Sequence, residues 1–247
     1  MSFSRNFRTG ERAQEPVSSG EDKGAGVRQL GSSSLRSTQE AYWTYEDIGA
    51  FLFVAIALNA VVHLAVRLHL LDSSQLLAPS TALETLITAF LATALYLILK
   101  LHYRRPVVAP LGWLIPSRFY AVISILGGVA AALVITYLIR WRGHVMPAIA
   151  AKVFFVLGLF LGPILEESVF RGCMLPVLTR TLGNAISVIA IAVLFAAFHA
   201  PGDVTHWVWF TATGAAYGSL RLASGTTTAA AFMHATCNLI LFLSAKL

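Results

Sequence analysis

Two adjacent carboxylates, Glu166 and Glu167, stand directly after an apolar run from Val153 to Leu165. An ionisable group near the centre of a bilayer costs at least about 2.5–3.5 kcal/mol on insertion scales, so such groups are usually paired or functional. Glu167 and Arg171 have the i, i+4 spacing that brings two side chains together on a helix, which predicts an ion pair. Glu166 then points about 100° away around the helix. It is predicted to act as a general base on water. On these residues alone, a carboxylate pair at a helix end near the lipid headgroups fits equally well.

Two further polar patterns follow on later apolar segments. Phe195 and His199 form an FxxxH pattern, and His234 and Asn238 form HxxxN, whose two members share one helix face. Imidazole and carboxamide groups can orient a water molecule and donate hydrogen bonds to the oxyanion that forms when an amide carbonyl is attacked. Taken singly, each residue could instead join helices through a hydrogen bond worth about 0.6 kcal/mol. The three patterns together favour one shared site for amide hydrolysis.

The composition indicates that these patterns lie in a membrane protein. Of the 247 residues, 57% are hydrophobic and 12% are charged, whereas a soluble domain is about 25% charged. The basic residues behind the net charge of +6 lie mostly at the edges of apolar runs. They are therefore interpreted as topology signals and headgroup anchors rather than nucleic-acid contacts.

The order of polar and apolar stretches predicts an all-α fold in two parts. Residues 1–45 are rich in Ser, Gly, Arg and Glu and are expected to form a disordered tail. Residues 46–247 are expected to form a polytopic transmembrane bundle of about six to eight helices. The predicted spans are about 48–68, 82–101, 119–139, 149–165, 183–199, 204–222 and 227–245. The tryptophans near their ends are expected to be interface anchors: Trp43, Trp113, Trp141, Trp207 and Trp209.

With the three patterns in place, the sequence resembles the CPBP or Abi family of intramembrane proteases, the CaaX prenyl endopeptidases and bacteriocin-processing enzymes. The resemblance covers about residues 150–245. Glu166 to Gly172 is similar to the first motif of that family, Phe195 to His199 to its second, and His234 to Asn238 to its third.

The resemblance implies a role for each matching residue. Glu166 would activate water together with His199, while His234 and Asn238 would contact the tetrahedral intermediate. Glu167 and Arg171 would support the site. The substrate would be a membrane-embedded peptide or prenylated protein, with a CaaX tail and a bacteriocin-like peptide both open. The expected location is an integral, multi-pass position in a membrane, with a prokaryotic plasma membrane favoured.

The metal content of the site is a separate prediction. Metal-free catalysis is favoured on the precedent of the family that the sequence resembles, and the chain also lacks the HExxH spacing of zinc peptidases. If zinc is bound, the expected ligands are Glu166, His199 and His234.

Three other readings stay open. A serine-type intramembrane protease could use Ser224, although it leaves both carboxylates unexplained. A transporter or channel could use Glu166, His199 and His234 as a proton or cation path. The third is a non-catalytic membrane interaction protein.

Overall fold

The fold is described from a computed structural model, which defines residues 43–68, 90–91, 93–104, 106–138, 157–199 and 202–244. All regular structure in these ranges is helical. We number the α-helices α1 (Tyr45–Arg67), α2 (Arg118–Leu133), α3 (Gly162–Glu167), α4 (Leu175–Phe198), α5 (Val204–Ser224) and α6 (Thr227–Ser244). Wider π-helical turns cover Ile98–His102, Val134–Leu138, Leu157–Leu161 and Ser168–Met174.

Within the described ranges, three helical stretches are long and apolar enough to span a membrane: Arg118–Tyr137, Leu159–Phe198 and Thr227–Ser244. The predicted all-α membrane fold is therefore confirmed. The predicted spans 119–139, 204–222 and 227–245 coincide with helical stretches to within a few residues, and the predicted span 183–199 corresponds to the part of α4 from Gly183 onward. The predicted tail lies outside the described residues except at its last positions, and the 82–101 and 149–165 spans are described only from residues 90 and 157.

The stretch Leu159–Phe198 has 40 residues, so as one straight helix it would be about 60 Å long, twice the thickness of a hydrocarbon core. Gly183 interrupts it, with φ 73° and ψ 171°, a backbone region that essentially only glycine adopts. Phe170, before the break, contacts Phe195 and Phe198 after it, with ring centroids 5.6 and 5.8 Å apart. The chain therefore folds back at Gly183 into an antiparallel hairpin.

The register of this hairpin positions the first two polar patterns. Phe170 lies 13 residues before Gly183 and Phe195 lies 12 after it; Glu166 lies 17 before and His199 lies 16 after. Both pairs are thus centred on the same turn. Residues almost equidistant from the apex of a helical hairpin lie side by side, so the turn at Gly183 brings Glu166 next to His199.

Small residues allow the remaining helices to approach closely. A Cβ on Gly214 of α5 would lie 3.1 Å from the Cα of Ala192 in α4. A Cβ on Gly128 of α2 would lie 2.5 Å from the carbonyl oxygen of Met233 in α6. These contacts draw α5 against α4 and α2 against α6, so that α6 and its polar pattern pack inside the bundle.

Polar groups complete the ends of these helices. Asp203 is the N-cap of α5, where its side chain accepts the backbone N–H of His206 at 2.9 Å. Gly225 ends α5 in the left-handed conformation that favours glycine, with φ 71°. The backbone N–H of Thr227, where α6 begins, donates to Gly112 at 2.7 Å. The segment 106–117 is thereby tied to the start of α6.

The prediction that the tryptophans are interface anchors is wrong for Trp43 and Trp209. Trp43 is 3% exposed and Trp209 is 8% exposed, so both pack inside the protein. The Trp209 indole donates to the carbonyl of Ala131 at 3.3 Å. Interface anchoring was inferred from position along the chain alone, which does not determine which way a side chain points.

Candidate active site

Glu167 lies at the centre of a buried polar cluster. Its Oε1 accepts Nη1 of Arg171 at 3.2 Å and contacts Nδ1 of His234 at 3.0 Å. The side chains of Glu167 and Arg171 are both 0% exposed. The predicted ion pair is therefore present, although Ser168–Met174 is π-helical rather than α-helical. A buried charge pair requires further hydrogen bonds to offset its desolvation.

Arg171 connects this cluster to α5. Its Nη2 donates to the carbonyl of Gly214 at 2.7 Å. The guanidinium carbon also lies 4.8 Å from the ring centroid of Phe195 and 5.4 Å from that of Tyr217, within the range of cation–π attraction. The guanidinium thus holds the first leg of the hairpin, the second leg and α5 together.

The contact between His234 and Glu167 determines which ring nitrogen of His234 can donate a hydrogen bond. If Glu167 is ionised, Nδ1 of His234 carries the proton that it donates to that carboxylate. A neutral His234 then has an unprotonated Nε2, which cannot donate to an oxyanion. Nε2 becomes a donor when the Glu167–His234 pair holds one more proton, either as an imidazolium or as a carboxylic acid. Tyr217 stacks on the imidazole, with a centroid distance of 4.9 Å and an interplanar angle of 16°, and fixes its plane.

Glu166 and His199 form the second, more open polar pair. Their Oε2 and Nε2 atoms are 3.8 Å apart, and 31% of the Glu166 side chain and 26% of the His199 side chain are exposed. Nδ1 of His199 contacts the carbonyl of Phe195 at 2.8 Å. A carbonyl only accepts, so Nδ1 carries the proton and Nε2 of the neutral ring is an acceptor. Two acceptors therefore face each other.

A gap of 3.8 Å between two acceptors is too long for a direct hydrogen bond and suits a bridging water. A water oxygen about 2.8 Å from each atom can donate one hydrogen to Glu166 and the other to His199. Its lone pairs then point away from both groups. Within the part of the chain that the structure describes, Oε2 of Glu166 is itself buried and has no hydrogen-bond partner, so a water in this gap would supply the hydrogen bond that it lacks.

Aromatic side chains bring the two polar groups together. Phe195 contacts His199 with ring centroids 4.4 Å apart and His234 with centroids 5.8 Å apart. Phe210 of α5 stacks on His199 at 4.2 Å and 28°. Both imidazoles therefore pack against one buried phenylalanine, and their orientations are fixed by helices α4 and α5.

Asn238 is half-buried and lies one helical turn after His234 on α6, so the two share a face of that helix. All six residues predicted for the site, Glu166, Glu167, Arg171, His199, His234 and Asn238, lie on the hairpin and α6. Hydrogen bonds and close polar contacts join the first five of them in two adjacent groups. Ser224, the alternative nucleophile, instead hydrogen-bonds to Thr226 at 3.2 Å.

The zinc alternative does not fit this side-chain arrangement. Among the described residues, no group of three His, Cys, Asp or Glu side chains is close enough to hold a metal ion. Of the three predicted ligands, Glu166 and His199 lie 3.8 Å apart, whereas Nδ1 of His234 contacts Glu167 instead. We therefore assign no catalytic step to a metal.

Sequence patterns did not identify several residues that build the site. Phe210, Gly214 and Tyr217 occupy successive turns of α5 and contact His199, Arg171 and His234, respectively. Their spacing of four and three residues was a usable signal, because it places all three on one face of the helix. Trp113 is a further case: its indole donates to the Ser168 hydroxyl at 3.0 Å, beside Glu167, and no local pattern indicates this contact.

Comparison with protein-family models gives a match to the later part of the chain. Residues 151–240 match the family model described as type II CAAX prenyl endopeptidase Rce1-like. No curated protein and no solved structure matches the chain. The matched segment contains all six predicted site residues. It confirms the resemblance expected from the motifs and supports a CAAX-type intramembrane endopeptidase in general. Over residues 151–240, the chain is therefore similar to the Rce1-like type II CAAX prenyl endopeptidases.

Proposed function

We propose that this protein hydrolyses a peptide bond of a membrane-associated substrate, a prenylated CaaX-type tail or another membrane-embedded peptide, and that Glu166 activates the attacking water. The observation that carries the proposal is the 3.8 Å gap between Oε2 of Glu166 and Nε2 of His199. A water held by two acceptors has its lone pairs directed toward a third group. A peptide carbonyl carbon is the expected occupant of that position.

In the proposed reaction, the water oxygen bonds to the carbonyl carbon while one water proton passes to Glu166. His199 accepts a hydrogen bond from the same water and orients it. The carbonyl oxygen becomes an oxyanion, which accepts hydrogen bonds from Nε2 of His234 and the Asn238 amide. Glu166 then delivers its proton to the leaving nitrogen as the carbon–nitrogen bond breaks. No net proton is gained or lost by the enzyme.

Glu167 and Arg171 do not touch the reacting atoms in this proposal. Glu167 holds Nδ1 of His234 at 3.0 Å and supports the protonated pair in which Nε2 is a donor. Arg171 balances the charge of Glu167 in the buried cluster. Both are positioning residues.

Cleavage of a panel of membrane-tethered peptides, prenylated and unprenylated, in detergent tests the proposal. We expect Glu166→Gln to lower kcat by about 10²- to 10⁴-fold, the usual contribution of a general base. Glu46→Gln, at an exposed position in the first turn of α1, is the matched control. Cleavage that persists in Glu166→Gln contradicts the assignment of the base. Glu166-dependent ion flux through liposomes without cleavage would instead favour the transporter alternative.

Bound metal measured on the same purified samples tests the prediction of metal-free catalysis. Stoichiometric zinc that is lost in His199→Ala would overturn that prediction. Glu166, His199 and His234 would then again be the candidate zinc ligands. A prokaryotic plasma membrane stays the predicted location, which fractionation of the source cells can test.

A further inference from the structure

A second buried guanidinium lies outside the catalytic cluster. Arg221, in the last turn of α5, is only 4% exposed. Its Nε is buried without a hydrogen-bond acceptor among the described residues, and its guanidinium forms no ion pair with them. Arg171, by contrast, has both a carboxylate and a carbonyl as partners. A buried positive charge without an anionic partner is strongly unfavourable. We therefore searched for an anion that Arg221 could bind.

The guanidinium of Arg221 lies near the start of α6, in space that a side chain at Gly112 would otherwise fill. A Cβ on Gly112 would lie 2.7 Å from Nη2 of Arg221 and 2.9 Å from Oγ1 of Thr227. Gly112 also has a φ of +80°, so a glycine is favoured there on two counts. Arg221 therefore packs against the same backbone position as Thr227, the first residue of the 18-residue helix α6. The positive end of a helix adds to the attraction of a guanidinium for an anion.

The protein supplies no anion from its described acidic side chains. Asp47 bonds to Tyr103, Asp203 to His206 and Glu167 to Arg171, while Glu166 faces His199. The remaining described carboxylate, Glu46, is exposed in the first turn of α1. No carboxylate of the described residues is therefore available to Arg221, and an anion supplied by a bound ligand is the partner that we consider. A planar guanidinium matches the two oxygens of a carboxylate, and one positive charge balances one negative charge.

The position of Arg221 relates it to the proposed reaction. Thr227 and His234 are seven residues apart on α6, a spacing that places them on one face and about 10 Å apart. An extended peptide covers that distance in about three residues. We infer that Arg221 binds the free terminal carboxylate of the peptide substrate, close to the bond that is cleaved. This inference rests on the proposed function and adds to it a specificity residue at the carboxyl end of the substrate.

Direct binding tests the inference without turnover. N-acetyl-trileucine with a free carboxyl end and the same peptide with an amidated end are titrated into detergent-solubilised Glu166→Gln protein by calorimetry. We expect the acid to bind about tenfold to a hundredfold more tightly than the amide, as for a hydrogen-bonded charge pair. Equal affinities would overturn the inference. Inorganic phosphate is titrated separately, and binding of phosphate without binding of the peptide acid overturns it as well.

Substitutions of Arg221 in the same background assign the effect to this residue. Arg221→Gln is expected to bind acid and amide equally, and Arg221→Lys to retain part of the preference. Arg118→Gln removes the same charge at an exposed position and should leave the preference intact. Undiminished preference in Arg221→Gln contradicts the inference. If that variant does not fold, undiminished preference in Arg221→Lys contradicts it, because an ammonium cannot reproduce a bidentate contact.

Cleavage by the otherwise unchanged protein separates the two proposals. If no peptide is cleaved but the acid still binds through Arg221, the proposed function fails and the carboxylate site stands. If peptides are cleaved with equal kcat/KM whether their ends are free or amidated, the proposed function stands and the carboxylate site fails.

Discussion

Two neighbouring carboxylates of this chain have opposite environments. Glu167 is completely buried and is held by Arg171 and His234 at 3.2 and 3.0 Å. Glu166 is 31% exposed, and its Oε2 faces an imidazole nitrogen 3.8 Å away that also lacks a proton to give. The two residues are adjacent in sequence, yet Oε1 of Glu167 contacts two nitrogen atoms of other side chains, whereas Oε2 of Glu166 faces an acceptor.

This difference in environment indicates a structural role for Glu167 and a reactive role for Glu166. A carboxylate whose partners are positively charged or proton-donating groups is stabilised in its ionised form and contributes to the fold. A carboxylate that faces another acceptor can share a water with it and can take up a proton from that water. We therefore expect substitutions in the closed cluster around Glu167 to affect folding, and substitutions in the open pair of Glu166 and His199 to affect turnover.

Arg171→Met should give the largest loss of stability. It leaves the buried Glu167 with His234 as its remaining hydrogen-bond partner and removes the bond to Gly214. Breaking a buried pair by removing one member costs about 3–5 kcal/mol. The free energy of unfolding in detergent, measured with Arg118→Met as the exposed control, checks this value. The open pair should behave differently: the free energy of unfolding of Glu166→Gln should be close to that of the unsubstituted protein.

A double-substitution cycle sharpens the comparison. Arg171→Met with Glu167→Gln removes both charges, so its loss should be smaller than the sum of the two single losses. Additive losses would mean that the pair is not energetically coupled. The closed cluster would then have no special role in stability.

Gly183→Ala should have an intermediate effect on both regions. The alanine must adopt φ 73° and ψ 171°, which costs about 1–3 kcal/mol, whereas a Cβ at this position meets nothing within 4 Å. The expected loss thus comes from the backbone alone. Gly202→Ala is the control, because its Cβ also meets nothing within 4 Å and its φ is not positive.

The readouts for this pair of variants are the unfolding temperature in detergent and kcat on a cleaved peptide. Since the turn at Gly183 sets Glu166 beside His199, a strained turn should lower kcat along with stability. Equal behaviour of Gly183→Ala and Gly202→Ala would show that the hairpin does not depend on this backbone conformation.

Local sequence patterns led to the six candidate residues, which stay a prediction, and to most of the helices that carry them. The i, i+4 spacing of Glu167 and Arg171 gave their ion pair, and apolar runs gave spans within a few residues of α2, α5 and α6. Such features depend on residues that are close in sequence. The pattern of a helix and the reach of a side chain are both local properties.

Contacts between distant segments could not be predicted in the same way. Nothing local indicates that Nδ1 of His234 binds Glu167 rather than facing the substrate, or that Arg171 reaches Gly214. These contacts depend on how α5 and α6 pack against the hairpin, which small residues decide by permitting close approach. The buried Arg221 is a related case, because its missing partner is visible only once its burial is known.

Asp203→Asn should have the smallest effect, and it depends on pH. The pKa of Asp203 lies below its usual value, first because the backbone N–H of His206 donates to the carboxylate and then because the His206 side chain does. A lowered pKa means that the ionised cap stabilises the fold above the unfolded value and that this contribution is lost as the pH falls through the folded value. Asn caps nearly as well and does not titrate, so the two proteins should have similar unfolding temperatures near neutrality.

On acidification, the unsubstituted protein should lose more stability than Asp203→Asn, and a difference that does not change with pH would contradict the assignment.

The position of the cap also bears on the two carboxylates. Asp203 begins the helix that carries first Phe210, against His199, and only later Gly214 and Tyr217, against the closed cluster. Fraying of α5 from its start should therefore loosen the open pair before the closed one. Activity should then fall at a higher pH than global unfolding begins, and this interval should narrow in Asp203→Asn.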